Sequence, residues 1–150
     1  MVCADTAAPG RPGYLPARRD TWQDRTVRSS EIPSAQVAEV PGEFDTPVPS
    51  EHSGGRRAIL LDVREEDEWQ SGHAPGAVNI PMVDVPARVD ELDYDSEIYV
   101  ICRQGGRSIE VAVYLAHVGF ETVQVEGGMV AWQQIGRPLV AEGDRQAKIY

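Results

Sequence analysis

Cys102 stands at the end of the apolar run Ile98-Tyr99-Val100-Ile101 and is followed directly by Arg103-Gln104-Gly105-Gly106-Arg107-Ser108. A cysteine followed by two arginines and a double glycine makes the parts of a nucleophilic, anion-binding loop. Glycines at 105 and 106 permit the positive φ values that let successive backbone N–H groups turn inward on the sulfur. A helix starting near Ser108 adds its orphan N–H groups and the positive end of its dipole, and Arg103 and Arg107 add full charges. Such a cradle favours the thiolate over the thiol, which is what a nucleophile needs. A lone strand-end cysteine is more often a small buried hydrophobe. The arginines and paired glycines immediately after this one reverse that expectation.

Other polar residues carry weaker signals. Asp62 and Arg64 flank Val63 at the end of a second apolar run, and an ion pair that positions the loop is their expected role, ahead of direct substrate contact. His73 lies in Gly72-His73-Ala74-Pro75-Gly76, where an imidazole usually satisfies local backbone groups, so it is not assigned to catalysis. His52 and His117 have no partner at metal-ligand spacing, and no metal site is expected. Trp69 and Trp132 sit among apolar neighbours and read as packing residues, while Trp22 and Cys3 lie far from the loop.

The elements that must hold the loop alternate between strand-like and helix-like patches from Ala58 onward, the pattern of βαβ units on a mostly parallel sheet. Strands are predicted at 58–63, 77–80, 97–102 and 122–125. Helices are predicted at 65–71, 85–92, 108–118 and 128–135, three of them stopped by Gly72, Gly119 and Gly136. Ser34 is placed to cap a short helix presenting Val37 and Val40. Residues 1–30 mix Pro, Gly, Arg and Ser and read as a flexible or loosely docked extension, residues 31–141 as the folded domain, and 142–150 as a C-terminal tail.

Composition narrows the function classes. The chain has 150 residues, 41% of them hydrophobic, enough for one core without metals or disulfides. Only two cysteines are present, which excludes a disulfide framework and suits a reducing compartment. Its net charge is −10, with five Arg and three Asp in residues 1–30 against nine basic and 21 acidic residues in 31–150. Such a balance argues against nucleic acid as the partner. No run approaches the roughly 18 apolar residues of a membrane span. The first residues have neither a basic nor an apolar signal region, so a cytoplasmic address is expected.

The loop Cys102-Arg103-Gln104-Gly105-Gly106-Arg107-Ser108 resembles the active-site loop of rhodanese-like domains. Leu60-Leu61-Asp62-Val63-Arg64-Glu65, Glu68-Trp69 and Gly72-His73-Ala74-Pro75-Gly76-Ala77-Val78-Asn79-Ile80-Pro81 resemble that family's first block, and Gly127-Gly128-Met129-Val130-Ala131-Trp132 with Gly136-Arg137-Pro138-Leu139 its closing block. The resemblance implies a three-layer α/β domain with a central five-stranded parallel sheet flanked by helices, the cysteine loop lying at the carboxyl ends of the strands. It implies a thiosulfate sulfurtransferase in which Cys102 takes a sulfane sulfur from a small anionic donor, carries it as a persulfide and passes it to cyanide, a thiol or a protein acceptor. Arg103, Gln104, Gly105, Gly106, Arg107 and Ser108 would form the substrate-binding loop, supported by Asp62 and Arg64, without metal or organic cofactor. A monomer or weak dimer is expected.

Two other readings compete. Related phosphatases use a Cys-x5-Arg loop, usually with His before the cysteine, whereas here Ile101 precedes Cys102 and the spacing is Cys-x4-Arg, a tighter cradle suited to one sulfur. A rhodanese-like module that binds a partner or senses redox state without turnover would retain Cys102 only as a sensor.

Overall fold

The computed structural model describes residues 28–44, 57–143 and 145–149. The expectations placed on most of residues 1–30, including Cys3 and Trp22, and on His52 lie outside the described residues.

Five strands form one parallel sheet: β1 (Ser34–Gln36), β2 (Ala58–Asp62), β3 (Val78–Asn79), β4 (Glu97–Ile101) and β5 (Glu121–Glu126), in the order β1-β5-β4-β2-β3. The helices among the described residues are α1 (Glu66–Ser71), α2 (Val85–Arg88), α3 (Gly106–His117) and α4 (Gly128–Gln134). Alternation along the central strands builds two cores, as a sheet covered on both faces requires. Ile59, Leu61, Ile98 and Val100 face Val85 of α2 and Val111, Ala112 and Leu115 of α3. Leu60 and Ile101 turn the other way and join Val125, Met129 and Trp132, together with Val37 and Val40. The three-layer α/β architecture expected from the resemblance is therefore present.

Three local expectations need correction. Ser34 opens a strand rather than capping a helix: Ala35 pairs with Val125, and Ser34 Oγ donates to Glu126 Oε1 at 2.7 Å, while Gln36 Nε2 also donates to Glu126. Val37 and Val40 are still buried, but in the turn after the strand, so the apolar spacing served a different backbone. The helix predicted over 85–92 is helical only at Val85–Arg88, with 3-10 turns at Met82–Asp84 and Val89–Glu91 on either side. The helix after the cysteine begins at Gly106, two residues earlier than the periodicity suggests.

The last described residues pack on the domain. Lys148 N–H donates to the Ser71 carbonyl at 2.8 Å, Ile149 N–H donates to Gln133 Oε1 at 2.8 Å, and Ile149 is buried in the second core. Gly72 makes room for this segment, since a Cβ there would lie 2.6 Å from the Lys148 carbonyl oxygen.

Candidate active site

The central strand β4, hydrogen-bonded to β2 on one side and β5 on the other, delivers Cys102 to the carboxyl end of the sheet. Crevices outside the carboxyl ends of parallel strands are the usual ligand sites of open α/β sheets. The chain then turns through Arg103 and Gln104 to Gly105, whose φ of +117° is the left-handed conformation that glycine adopts without penalty. The turn brings the Gly105 N–H to 3.0 Å from Cys102 Sγ, donating to it. Gly105 is held from its other side as well. Its carbonyl accepts hydrogen bonds from Gln124 Nε2 at 3.0 Å and Ser108 Oγ at 3.1 Å. Gly106 has no positive φ and simply starts α3, whose N-terminal dipole end therefore lies next to the loop.

The start of the loop is fixed by α4. Met129 N–H donates to the Cys102 carbonyl at 2.8 Å and Val130 N–H to the Arg103 carbonyl at 3.0 Å. This contact requires Gly128, which has φ +60° and no room for a side chain. Cys102 itself is 1% exposed, Gln104 is exposed, and Arg103 and Gly105 are half-buried. Cys102 is therefore almost wholly enclosed.

Arg107, in the first turn of α3, reaches across to α1. Its Nη1 and Nη2 donate to Glu68 Oε2 and Oε1 at 2.8 and 3.0 Å, a bidentate pair with both side chains partly exposed. The hydrogen bond from Arg107 holds the Glu68 carboxyl below its ordinary range, against the opposing effect of burial, with the Glu65 N–H and the charges of Arg107 and Arg64 adding to the lowering. The same bond raises Arg107; burial opposes, and attraction from Glu68, Cys102 and Glu65 reinforces the rise.

Asp62 and Arg64 form a buried pair, Nη2 to Oδ2 at 2.8 Å, with side chains 0% and 1% exposed. Arg64 also donates to the carbonyls of Gly72 at 2.7 Å and Glu68 at 3.3 Å, and Asn79 Nδ2 ties the carbonyls of Asp62 and Arg64 together. Removing one partner of such a pair typically costs about 3–5 kcal/mol because a buried charge is left alone. The pair thus holds the middle and the C-terminal end of α1, and α1 in turn presents Glu68 to Arg107. His73 Nδ1 lies 2.8 Å from the Trp69 carbonyl, and its ring stacks on the half-buried Trp69 at 3.5 Å between centroids. Trp132 is buried and donates to the Pro138 carbonyl.

The structure thus gathers Cys102, Arg103, Gln104, Gly105, Gly106, Arg107 and Ser108 into one loop and helix start, with Asp62 and Arg64 one layer behind it. Sequence reasoning missed Glu68, Gln124 and Gly128 as supports of this loop. The double glycine 127–128 before a helix was a legible sign of close backbone approach. Nothing local marked Gln124, because its partner lies on another element.

Among the described residues, no helix is long and apolar enough to cross a membrane, and no group of three or more His, Cys, Asp or Glu is placed to hold a metal ion. Residues 49–135 match the model of the rhodanese-like domain. The chain is 49% identical over 79 residues to YtwF of Bacillus subtilis (strain 168), whose name describes a sulfurtransferase, covering 53% of this chain and 77% of that protein. It is 36% identical over 84 residues to a sulfurtransferase of Allochromatium vinosum, covering 55% and 78%. A rhodanese-related protein of Thermoplasma volcanium has the same fold, with a TM-score of 0.55 at 35% identity over 57% of this chain and 85% of that one. With the family model matching more than half of its length and its fold shared with a rhodanese-related protein, this chain belongs to the rhodanese-like domain family.

Proposed function

We propose that the chain is a sulfurtransferase in which Cys102 carries a sulfane sulfur from an anionic donor such as thiosulfate to cyanide, a small thiol or a protein thiol. The observation that carries this reading is the Gly105 N–H donating to Cys102 Sγ at 3.0 Å within a loop fixed at both ends. A preset donor of this kind stabilises negative charge on sulfur without reorganisation during reaction. The relatives named as sulfurtransferases support the same assignment.

In the first step the Cys102 thiolate attacks the outer sulfur of thiosulfate. A new S–S bond forms, the donor's S–S bond breaks, and sulfite leaves with the bonding electron pair, so that the negative charge resides on the terminal persulfide sulfur. In the second step the acceptor's lone pair takes that terminal sulfur, and the electron pair of the Cys102 S–S bond returns to Cys102 as thiolate. Arg103, Gln104, Gly105, Gly106, Arg107 and Ser108 line the approach, the arginines receiving the anionic part of the donor. Asp62 and Arg64 act through α1. This chemistry needs no metal and suits a reducing compartment such as the cytoplasm.

A second reading, a module that binds or senses redox state without turnover, is favoured by the 1% exposure of Cys102. Mass spectrometry separates the two. After incubation with thiosulfate, the carrier gains about 32 Da, one sulfur atom, at Cys102, and cyanide removes it. Cys102→Ser folds normally and gains nothing. Wild-type protein that takes up no sulfur under turnover conditions would be a sensor or binding module instead.

A further inference from the structure

We propose that Glu68 is a specificity-determining positioning residue: its carboxylate occupies the Arg107 guanidinium that a small anionic donor would use, so the donor must displace an anion built into the fold. The inference rests on the sulfurtransferase reading above and names the donor class that the site disfavours.

Three observations carry it. Both terminal nitrogens of Arg107 bind Glu68, so the planar fork that matches an oxyanion is already engaged. Glu68 is not a loose partner. Its Oε2 also accepts the Glu65 N–H at 3.0 Å, completing the reciprocal cap of α1, while the Glu68 carbonyl accepts from Arg64. Arg64 is locked to Asp62. The carboxylate is thus presented to Arg107 by an anchored helix. Finally, the N-cap Glu65 and the first-turn residues Glu66 and Asp67 are exposed and acidic, so the helix that carries Glu68 presents further like charge to an approaching dianion.

The consequence is a division of labour inside the loop. Gly105 N–H serves the sulfur, and Arg107 is available only to a donor that competes with Glu68. Small dianions such as thiosulfate lose most by that competition. A persulfide presented on a thiol, with its single charge on the reacting sulfur, needs the loop amides and not the Arg107 fork.

The test is equilibrium binding of sulfate, an inert dianion, by titration calorimetry, alongside thiosulfate kinetics. Glu68→Gln keeps an oxygen to accept the Glu65 N–H while removing the charge. Sulfate Kd and thiosulfate KM are expected to fall together by about two- to fivefold at low ionic strength, as expected for a partly exposed ion pair, with kcat little changed. The gain should vanish in Glu68→Gln/Arg107→Gln. Should Glu68→Gln not fold, Glu68→Asp keeps the charge but shortens the reach, and a smaller shift in the same direction is expected. Unchanged or weaker sulfate binding in the single variant, or tightening that persists in the double variant, overturns the proposal. Failure of the sulfurtransferase reading looks different, because wild type would then acquire no sulfur on Cys102 whatever its affinity for sulfate.

Discussion

Gly128 lies so close to the loop that a Cβ on it would stand 2.4 Å from the Cys102 carbonyl oxygen and 2.5 Å from that of Arg103. The closing glycine pair of the sequence is therefore part of the cysteine loop in space, although 26 residues separate Gly128 from Cys102 in the chain. The two hydrogen bonds from Met129 and Val130 exist only because this approach is allowed.

Gly128→Ala should therefore displace the backbone under the nucleophile. The left-handed φ of +60° adds strain of roughly 1–3 kcal/mol to the steric clash. A lowered Tm by calorimetry and at least about a tenfold loss of sulfur transfer are expected, since a shift of about 1 Å at a reacting group can cost a hundredfold. Wild-type stability and activity in this variant would mean that α4 does not set the loop.

The two loop glycines should behave oppositely. Gly105 needs its φ of +117°, and Gly105→Ala is expected to lose about 1–3 kcal/mol and to misplace the N–H on Cys102 Sγ. Gly106 has helical surroundings and open space where a Cβ would go, so Gly106→Ala should leave stability unchanged or raise it by about 0.5–1 kcal/mol. Denaturant titration of both variants decides the matter, and equal losses would show that the positive φ is not what Gly105 supplies.

How far the sequence anticipated this site depends on the range of the interaction concerned. Strands 58–62 and 97–101, buried on both faces, announced themselves as apolar runs, and Cys102 with its arginines and glycines is contiguous. The edge strand at Ser34–Gln36 was unreadable. Three residues carry no period, and its burial pattern of exposed, half-buried, exposed arises from pairing with β5, 90 residues away in the chain. The bond between Glu68 and Arg107 escaped for a related reason. Each is an ordinary charged helix residue locally, and only the docking of α1 beside α3 makes them partners.

Cys102 should react according to the size of the reagent. With 1% of the residue exposed, a bulky aromatic disulfide is expected to modify it at least about ten times more slowly than iodoacetamide does, in a Cys3→Ser background that leaves one thiol. After thiosulfate, iodoacetamide should alkylate the outer persulfide sulfur instead of Cys102 Sγ, read by mass spectrometry as an adduct about 32 Da heavier. Equal rates with both reagents would show that the loop does not close over the thiol.

Acid sensitivity follows from the sign of the Glu68 shift. Its carboxyl is held below the ordinary value of 4.5, chiefly by the Arg107 hydrogen bond, so the folded state binds fewer protons there than the unfolded chain. The stabilisation is complete above the unfolded value and is lost as pH falls through the folded one. Glu91, lowered by its hydrogen bond from Arg88, titrates alike in wild type and Glu68→Gln and cancels in their difference. The advantage of wild type over Glu68→Gln should therefore be constant above the ordinary value of 4.5 and shrink as pH falls through the lowered folded value. With both side chains partly exposed, that gap is expected to stay near or below about 1 kcal/mol. A difference independent of pH across this range would mean that ionisation of Glu68, and with it the charge pair with Arg107, adds nothing to stability.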